Sequence, residues 1–251
     1  GEYMENTVRV KTVFLSDLHL GAKTIECEDI DKFLDLYKAD EYFLVGDIID
    51  FWALVRNPKL KHQHLMVIKK LIKLSKKHKM SYVLGNHDDI LRKFVSDELK
   101  FGHIKVENEM IYESGGKRFL ISHGDLYDGI TRNYRIVGIM GSLGYDLLLT
   151  LNKIVTKTRK ILKMEPWSFS SYVKQNVKKA ASFIGNFEML LSEECKRRGC
   201  DGVICGHIHK AEIKDMDGVL YMNCGDFQES STALVEHLDG TFEIIRMHEL
   251  R

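Results

Sequence analysis

"VFLSDLHLG", residues 13–21, runs three apolar residues straight into a polar turn where an acid, Asp17, and an imidazole, His19, stand two positions apart. The apolar stretch from Val10 to Leu15 reads as a strand, and the polar turn ends it. The same pattern returns four times along the chain. Tyr42 to Val45 leads into Gly46-Asp47-Ile48-Ile49-Asp50, and Tyr82-Val83-Leu84 into Gly85-Asn86-His87-Asp88. Phe119-Leu120-Ile121 leads into Ser122-His123-Gly124-Asp125, and Gly202 to Cys205 into Gly206-His207-Ile208-His209. Strand ends along one edge of a sheet open on a common crevice, so these five clusters are expected to meet.

Between the clusters the hydrophobic period changes from two to about 3.6, the mark of crossover helices. Ile30, Phe33, Leu34 and Tyr37 share one helical face; Ile68, Leu71 and Ile72 share another, and Ile90, Leu91 and Phe94 a third. The first half is therefore α/β in alternation. Gly115-Gly116 joins Ile111-Tyr112 to Phe119–Ile121 as a hairpin, so the second half is expected to turn towards antiparallel pairing. Asp217-Gly218 and Asp239-Gly240 are the turns of a closing meander. Residues 126–200 break the rhythm. They hold an apolar run from Ile136 to Leu151, a basic stretch, and an amphipathic helix through Val173, Val177, Ala180, Ala181, Ile184, Phe187 and Leu191. We expect one domain over residues 1–251, with a helical cap inserted at about 126–200.

Composition excludes several classes. With 44% hydrophobic and 29% charged residues and only two prolines, the chain is neither disordered nor fibrous. No apolar run is long enough to span a bilayer, and no signal-peptide pattern opens the sequence, so a cytoplasmic protein is expected. Five cysteines without a CxxC pair fit reduced thiols rather than a zinc ribbon. The total charge of +1 hides a local excess: residues 131–180 hold ten Lys or Arg against Asp146 and Glu165. That segment is expected to face something anionic, or to be a solvated helical surface.

Asp, Asn and His are the donors of a borderline-to-hard divalent ion, and no thiolate competes in the clusters. Seven of them, Asp17, His19, Asp47, Asn86, His123, His207 and His209, suit two ions if one carboxylate bridges, and Asp47 is placed to be that bridge. Two divalent ions less two carboxylates leave a surplus of positive charge for a phosphate ester or pyrophosphate. The nucleophile expected of such a pair is a bridging water that has lost a proton. Asp47, Asn86 and His87 are then the catalytic candidates. His87 either protonates the leaving oxygen or holds a phosphate oxygen, with Asp88 fixing its tautomer. Asp50 and Asp125 are expected to orient ligand histidines or cap turns rather than bind metal. Each motif alone has a plainer reading: a DxH triplet is a common polar loop, Gly-Asn a common turn, and HxH a pair of surface positions on a strand. His62-Gln63-His64 has that last spacing but lies in a polar run, and is expected to be solvated surface.

The ordered set SDLHLG, GDIID, GNHD, SHGD and GHIH resembles the calcineurin-like metallophosphoesterase superfamily. The resemblance implies a four-layer αββα sandwich, with Asp17, His19, Asp47 and His209 around one ion and Asp47, Asn86, His123 and His207 around the other. It also implies manganese as the first choice of metal, with magnesium, iron or zinc able to use the same donors. The stretches YFLVGDIIDFW (42–52), DGVICGHIHKA (201–211) and NCGDFQESSTALVEH (223–237) are similar to the bacterial UDP-2,3-diacylglucosamine pyrophosphatases. Those enzymes cleave a nucleotide-linked glycolipid to lipid X and UMP at the cytoplasmic face of the inner membrane, in lipid A synthesis. The best-known members carry Arg where this sequence has His87, which marks a second branch.

On that resemblance the cap would take acyl chains against its apolar run, and phosphates on a basic set that includes Arg132, Lys157, Arg159 and Lys160. The apolar run packing the cap onto the core is the plainer alternative. A phosphodiesterase or nuclease would use the same centre. Nucleic acid fits less well, because Trp167, Phe169 and Tyr172 are the few aromatic residues among the basic ones. A non-catalytic descendant of the fold would be expected to have lost donors, and all seven positions are filled.

Overall fold

The computed structural model describes residues 7–97, 99–127 and 169–250. Its strands are β1 (Val8–Leu15), β2 (Tyr37–Val45), β3 (Lys79–Val83), β4 (Lys100–Phe101), β5 (Ile104–Glu107) and β6 (Glu109–Ser114). They continue with β7 (Lys117–Ser122), β8 (Gly202–Cys205), β9 (Glu212–Met216), β10 (Val219–Asn223), β11 (Thr232–Glu236) and β12 (Phe242–Arg246). The helices are α1 (Glu28–Leu36), α2 (Phe51–Arg56), α3 (His62–Ser75) and α4 (Phe169–Arg197), with a 3-10 helix over Asp89–Asp97. Two mixed sheets result: a seven-stranded one in the order β12-β11-β1-β2-β3-β5-β4, and a five-stranded one in the order β6-β7-β8-β10-β9. This is the α/β metallophosphoesterase arrangement expected from the sequence.

Alternation along the central strands explains the layering. Tyr42 and Leu44 of β2, Tyr82 of β3 and Val235 of β11 join the core built with α1 and α3. Phe43, Val45, Val83 and Leu234, their neighbours in sequence, join the core that also holds Phe119, Ile121, Ile204 and Met222 of the five-stranded sheet. A strand buried on both faces must be apolar at both parities, hence the unbroken FLV and VFL runs. In the five-stranded sheet β6–β7 and β9–β10 pair antiparallel as expected, but β7–β8 and β8–β10 are parallel. The crossover from β7 to β8 passes through the expected cap, and a parallel pair needs such a connection.

The chain divides into two compact units, residues 1–127 with 190–251, and residues 128–189. Most of the expected cap, including Arg132, Lys157, Arg159 and Lys160, lies outside the described residues. On α4 the apolar face holds at Phe187 and Leu191, which are buried, whereas Ala181 is exposed. None of the described helices is long and apolar enough to cross a membrane.

Candidate metal centre

All five polar clusters sit where strands end. Asp17 and His19 follow β1, Asp47 follows β2, Asn86 and His87 follow β3, His123 follows β7, and His207 and His209 follow β8. Since β1, β2 and β3 run parallel in one sheet and β7 and β8 in the other, both sheets deliver their carboxyl ends to one place. The backbone there is unusual: Asp17 (φ 54°), His19 (φ 45°), Asp47 (φ 53°), His207 (φ 72°) and His209 (φ 53°) all lie in the left-handed region. Side-chain-bearing residues are held there only when their surroundings over-determine them, and such strain concentrates at functional sites. Main-chain bonds supply the restraint, from Asp17 N–H to Gly46 O (3.0 Å) and from His19 N–H to Asp47 O (2.9 Å).

Among the described residues the donor atoms cluster in three groups: Asp17 with His19 and His209, Asp17 with Asp47 and His123, and His19 with Asp50 and His87. Asp17 Oδ1 lies 3.1 Å from His209 Nε2 and 3.6 Å from His19 Nε2, while Asp47 Oδ2 lies 3.4 Å from His123 Nε2 and 3.8 Å from His19 Nε2. Asp17 Oδ1, His19 Nε2, Asn86 Oδ1 and His123 Nε2 are buried and make no hydrogen bond. Orphaned buried polar atoms are costly, and a cation at these strand ends is what would satisfy them. The remaining oxygens are already engaged: Asp17 Oδ2 accepts from His207 N–H (3.1 Å) and from Ser16 Oγ, and Asp47 Oδ1 accepts from His87 N–H (2.8 Å). His123 donates Nδ1–H to Val45 O (2.9 Å), which leaves its Nε2 facing Asp47. His207 sets its ring edge-on against that of His123, with centroids 5.2 Å apart.

The electrostatics call for positive charge. Burial alone would lower the His19 imidazole, yet the carboxylates of Asp17 and Asp50 beside it raise it to about 10. Burial opposes protonation of His123 as well, and the Asp47 and Asp17 charges override it, holding the ring well above its ordinary range. Conversely, burial pushes Asp47 up, but the charge on His123 outweighs it and brings the carboxyl to about 2. The imidazoles thus take up protons to balance buried carboxylates. A divalent cation bound to the same donors would displace those protons, and hard-to-borderline N/O chemistry suits it.

The structure departs from the sequence expectations at Asp88 and His64. Asp88 does not hold His87: fully buried, it accepts from the N–H groups of Ile49 (3.0 Å), Gly85 (3.2 Å) and Ile48 (3.3 Å) and from Tyr82 Oη (2.5 Å). Burial raises its carboxyl to about 7, with the Asp47 charge adding to the effect. Asp50 holds His87 instead, with Oδ1 2.9 Å from His87 Nδ1 and Oδ2 3.5 Å from His19 Nδ1. One carboxylate thus stands behind two imidazoles, and it also caps α2 through Ala53 N–H (2.7 Å). His64 is buried rather than solvated. Asp125 pairs with Arg92 (2.8 Å). A cleft of about 540 Å³ opens beside His209, lined by Lys210, Ser230, Arg246 and His248 and by the acids Asp29 and Glu229. Sequence reasoning did not single it out, because Arg246 and His248 lie beyond the last motif.

The model of the calcineurin-like phosphoesterases matches residues 10–211, which takes in every one of these clusters. The chain belongs to that family. Among curated proteins it is similar to a UDP-2,3-diacylglucosamine hydrolase of Photorhabdus laumondii, at 25% identity over 215 residues, covering 82% of this chain and 84% of that one. Among solved structures, a novel archaeal phosphodiesterase superposes with a TM-score of 0.46 at 16% identity, over 94% of this chain and 98% of the other. The phosphoesterase Yfce of E. coli gives a TM-score of 0.46 at 12% identity, with the same coverages. The chain is thus a metal-dependent phosphoester hydrolase by family, and its strand-end donors form the candidate metal centre.

Proposed function

We propose that this phosphoesterase hydrolyses the pyrophosphate of UDP-2,3-diacylglucosamine, releasing UMP and a diacylated sugar phosphate, with two divalent cations at the strand-end site. The observation that carries the reading is the similarity to a UDP-2,3-diacylglucosamine hydrolase across most of both chains, and the gathering of Asp17, His19, Asp47, His123 and His209 at the strand ends supports it. Asp17, His19, Asp47 and His209 would hold one ion, and Asp47, Asn86, His123 and His207 the other; manganese is our first choice. When bound, such ions supply positive charge to polarise a phosphoryl oxygen and acidify the attacking water.

The chain's own residues do the rest. Asp50 accepts a hydrogen bond from His87 Nδ1–H and turns the ring so that Nε2 faces Asp47 at 3.9 Å, where it can hold a proton towards the leaving oxygen. Trp52 lies against that ring, with centroids 4.2 Å apart, and limits its rotation. The basic residues of 131–180, Arg132, Lys157, Arg159 and Lys160 among them, would meet the substrate's phosphates and the anionic face of a membrane on which the protein works peripherally from the cytoplasm.

Incubating Mn²⁺-loaded protein with UDP-2,3-diacylglucosamine should yield UMP by mass analysis, and Asp47→Ala should abolish it. Cleavage of simple diesters with this substrate left intact would refute the lipid assignment. Salt-dependent nuclease activity lost in Asp47→Ala would move it to nucleic acid.

A further inference from the structure

His64 is a buried titratable side chain that the chemistry above leaves unused. It is 1% exposed, in the first turn of α3, although Lys61, His62 and Gln63 before it are polar. Its ring nitrogens both face the turn that follows His19. Gly21 N–H donates to Nδ1 (3.1 Å), which fixes the neutral tautomer with its proton on Nε2, and Nε2 donates to Ile25 O (3.3 Å). Gln63 Nε2 (3.1 Å) and Lys61 Nζ (3.3 Å) reach the same carbonyl.

The turn itself is under constraint. His19 sits at φ 45° and Gly21 at φ 114°, and a Cβ on Gly21 would lie 2.9 Å from Leu54 Cγ of α2. Upstream of Gly21 the restraint comes from the segment 46–50: His19 N–H donates to Asp47 O (2.9 Å), Leu20 N–H to Ile48 O (2.9 Å), and Asp50 N–H to Leu20 O (2.9 Å). At Gly21 the restraint on the N–H is the imidazole of His64. Removing an acceptor from a buried N–H costs its desolvation, and the turn can recover it by rotating away from its strained conformation. Such a rotation would carry His19 Nε2 away from Asp17 and Asp47.

We infer that His64 is a positioning residue for the metal centre, holding Gly21, and through it His19, in the donor geometry. The inference rests on the proposed cation site, and the test separates the two. Mn²⁺ titrations followed by calorimetry, with metal content measured after dialysis, would compare wild type with His64→Asn and His64→Leu. Asn places an amide oxygen near the Nδ1 position and keeps the acceptor; Leu keeps the bulk and removes it.

The wild type should take up two ions. His64→Leu should bind one of them at least about tenfold more weakly, the range seen when partners behind a ligand are removed, and that ion should be the one lost in His209→Ala. His64→Asn should stay within about threefold of wild type on the same argument. In metal-free protein, the Gly21 amide should exchange with solvent faster in His64→Leu than in His64→Asn. If His64→Leu does not fold, His64→Gln replaces it, keeping a donor for Ile25 while withdrawing the acceptor from Gly21. Equal weakening in His64→Asn and His64→Leu, or wild-type binding in both, overturns the inference and leaves the metal reading standing. No uptake by wild type overturns both.

Discussion

Gly206 leaves no room for a methyl group, because a Cβ there collides with Ser16 Oγ and comes within 2.5 Å of Asp17 Oδ2. Gly206→Ala should therefore displace Asp17 from His207 N–H, lower stability by about 1–3 kcal/mol as overpacking does, and abolish retained Mn²⁺. Urea unfolding and metal analysis read the two effects, and wild-type values in both would disprove the close approach. His64 gives the pH prediction. Burial lowers its pKa from 6.5, so the neutral ring is favoured in the fold. A group depressed on folding stabilises above its unfolded pKa, and that contribution is lost as pH falls, here from about 6.5 downward. The linkage slope for one proton is at most about 1.4 kcal/mol per pH unit. The stability gap between wild type and the non-titrating His64→Asn should thus be widest above pH 7 and close towards pH 5; a gap that widens on acidification would contradict it. The donor residues were legible because each follows an apolar run that ends in Gly or Ser. His64 was not, because His62-Gln63-His64 repeats the spacing of His207-Ile208-His209, and only the docking of α3 beside residues 21–25 gives it a role. Asp50 and Asp88 are both acids near the ligands in sequence. Which one backs His87 depends on where α2 begins.

Among the elements, β1, β6 and β11 share a buried polar knot between the sheets. Glu236 accepts from Tyr112 Oη, Ser114 Oγ and Lys11 Nζ (3.3 Å), and Thr12 Oγ1 lies 2.7 Å from Tyr112 Oη. Glu236 is 1% exposed, so its charge depends on these partners. Tyr112→Phe withdraws one donor and leaves the others, and should cost about 1–3 kcal/mol. At this chain length that is a fall in Tm of roughly 2–4 °C per kcal/mol. Mn²⁺ uptake should not change, because β1 reaches the metal centre only beyond its C-terminal end, at Asp17 and His19. An unaltered Tm would show that the knot adds nothing. Long periodic elements such as α1 and α3 were visible in the sequence. α2 was not, since its six residues bury no side chain and show no periodic face. The apolar spacing at Ile90, Leu91 and Phe94 suggested an α-helix where the chain forms a 3-10 helix, with Ile90 and Phe94 about half exposed. The parallel pairing of β7, β8 and β10 escaped too, because partner choice is set by the crossover and not by the strands' own residues.

At the scale of the molecule, the motifs fixed the family because they sample both sheets, while the segment expected to choose the substrate lies between them. The residues that flank that segment in sequence are tied to one another within the larger unit. Tyr127 Oη donates to Glu109 (2.7 Å), Arg198 Nη2 reaches Glu109 (2.5 Å) and Tyr127 Oη (3.2 Å), and Arg198 Nε pairs with Glu194 (2.5 Å). None of these residues belongs to 128–189, and every candidate metal donor also lies outside it. Replacing 128–189 with a short Gly/Ser linker should therefore leave a protein that unfolds cooperatively and binds Mn²⁺ as the full chain does. Binding energy from remote parts of a substrate lowers the barrier at the reacting centre, so under the proposed function the loss should fall on the lipid substrate. UMP release from UDP-2,3-diacylglucosamine should drop by at least about a hundredfold, with hydrolysis of a small soluble phosphodiester changed by no more than about threefold. Parallel assays of both substrates on the two proteins decide it. An equal loss on both would mean that 128–189 serves the metal centre itself, and retention of both would remove that segment from substrate recognition.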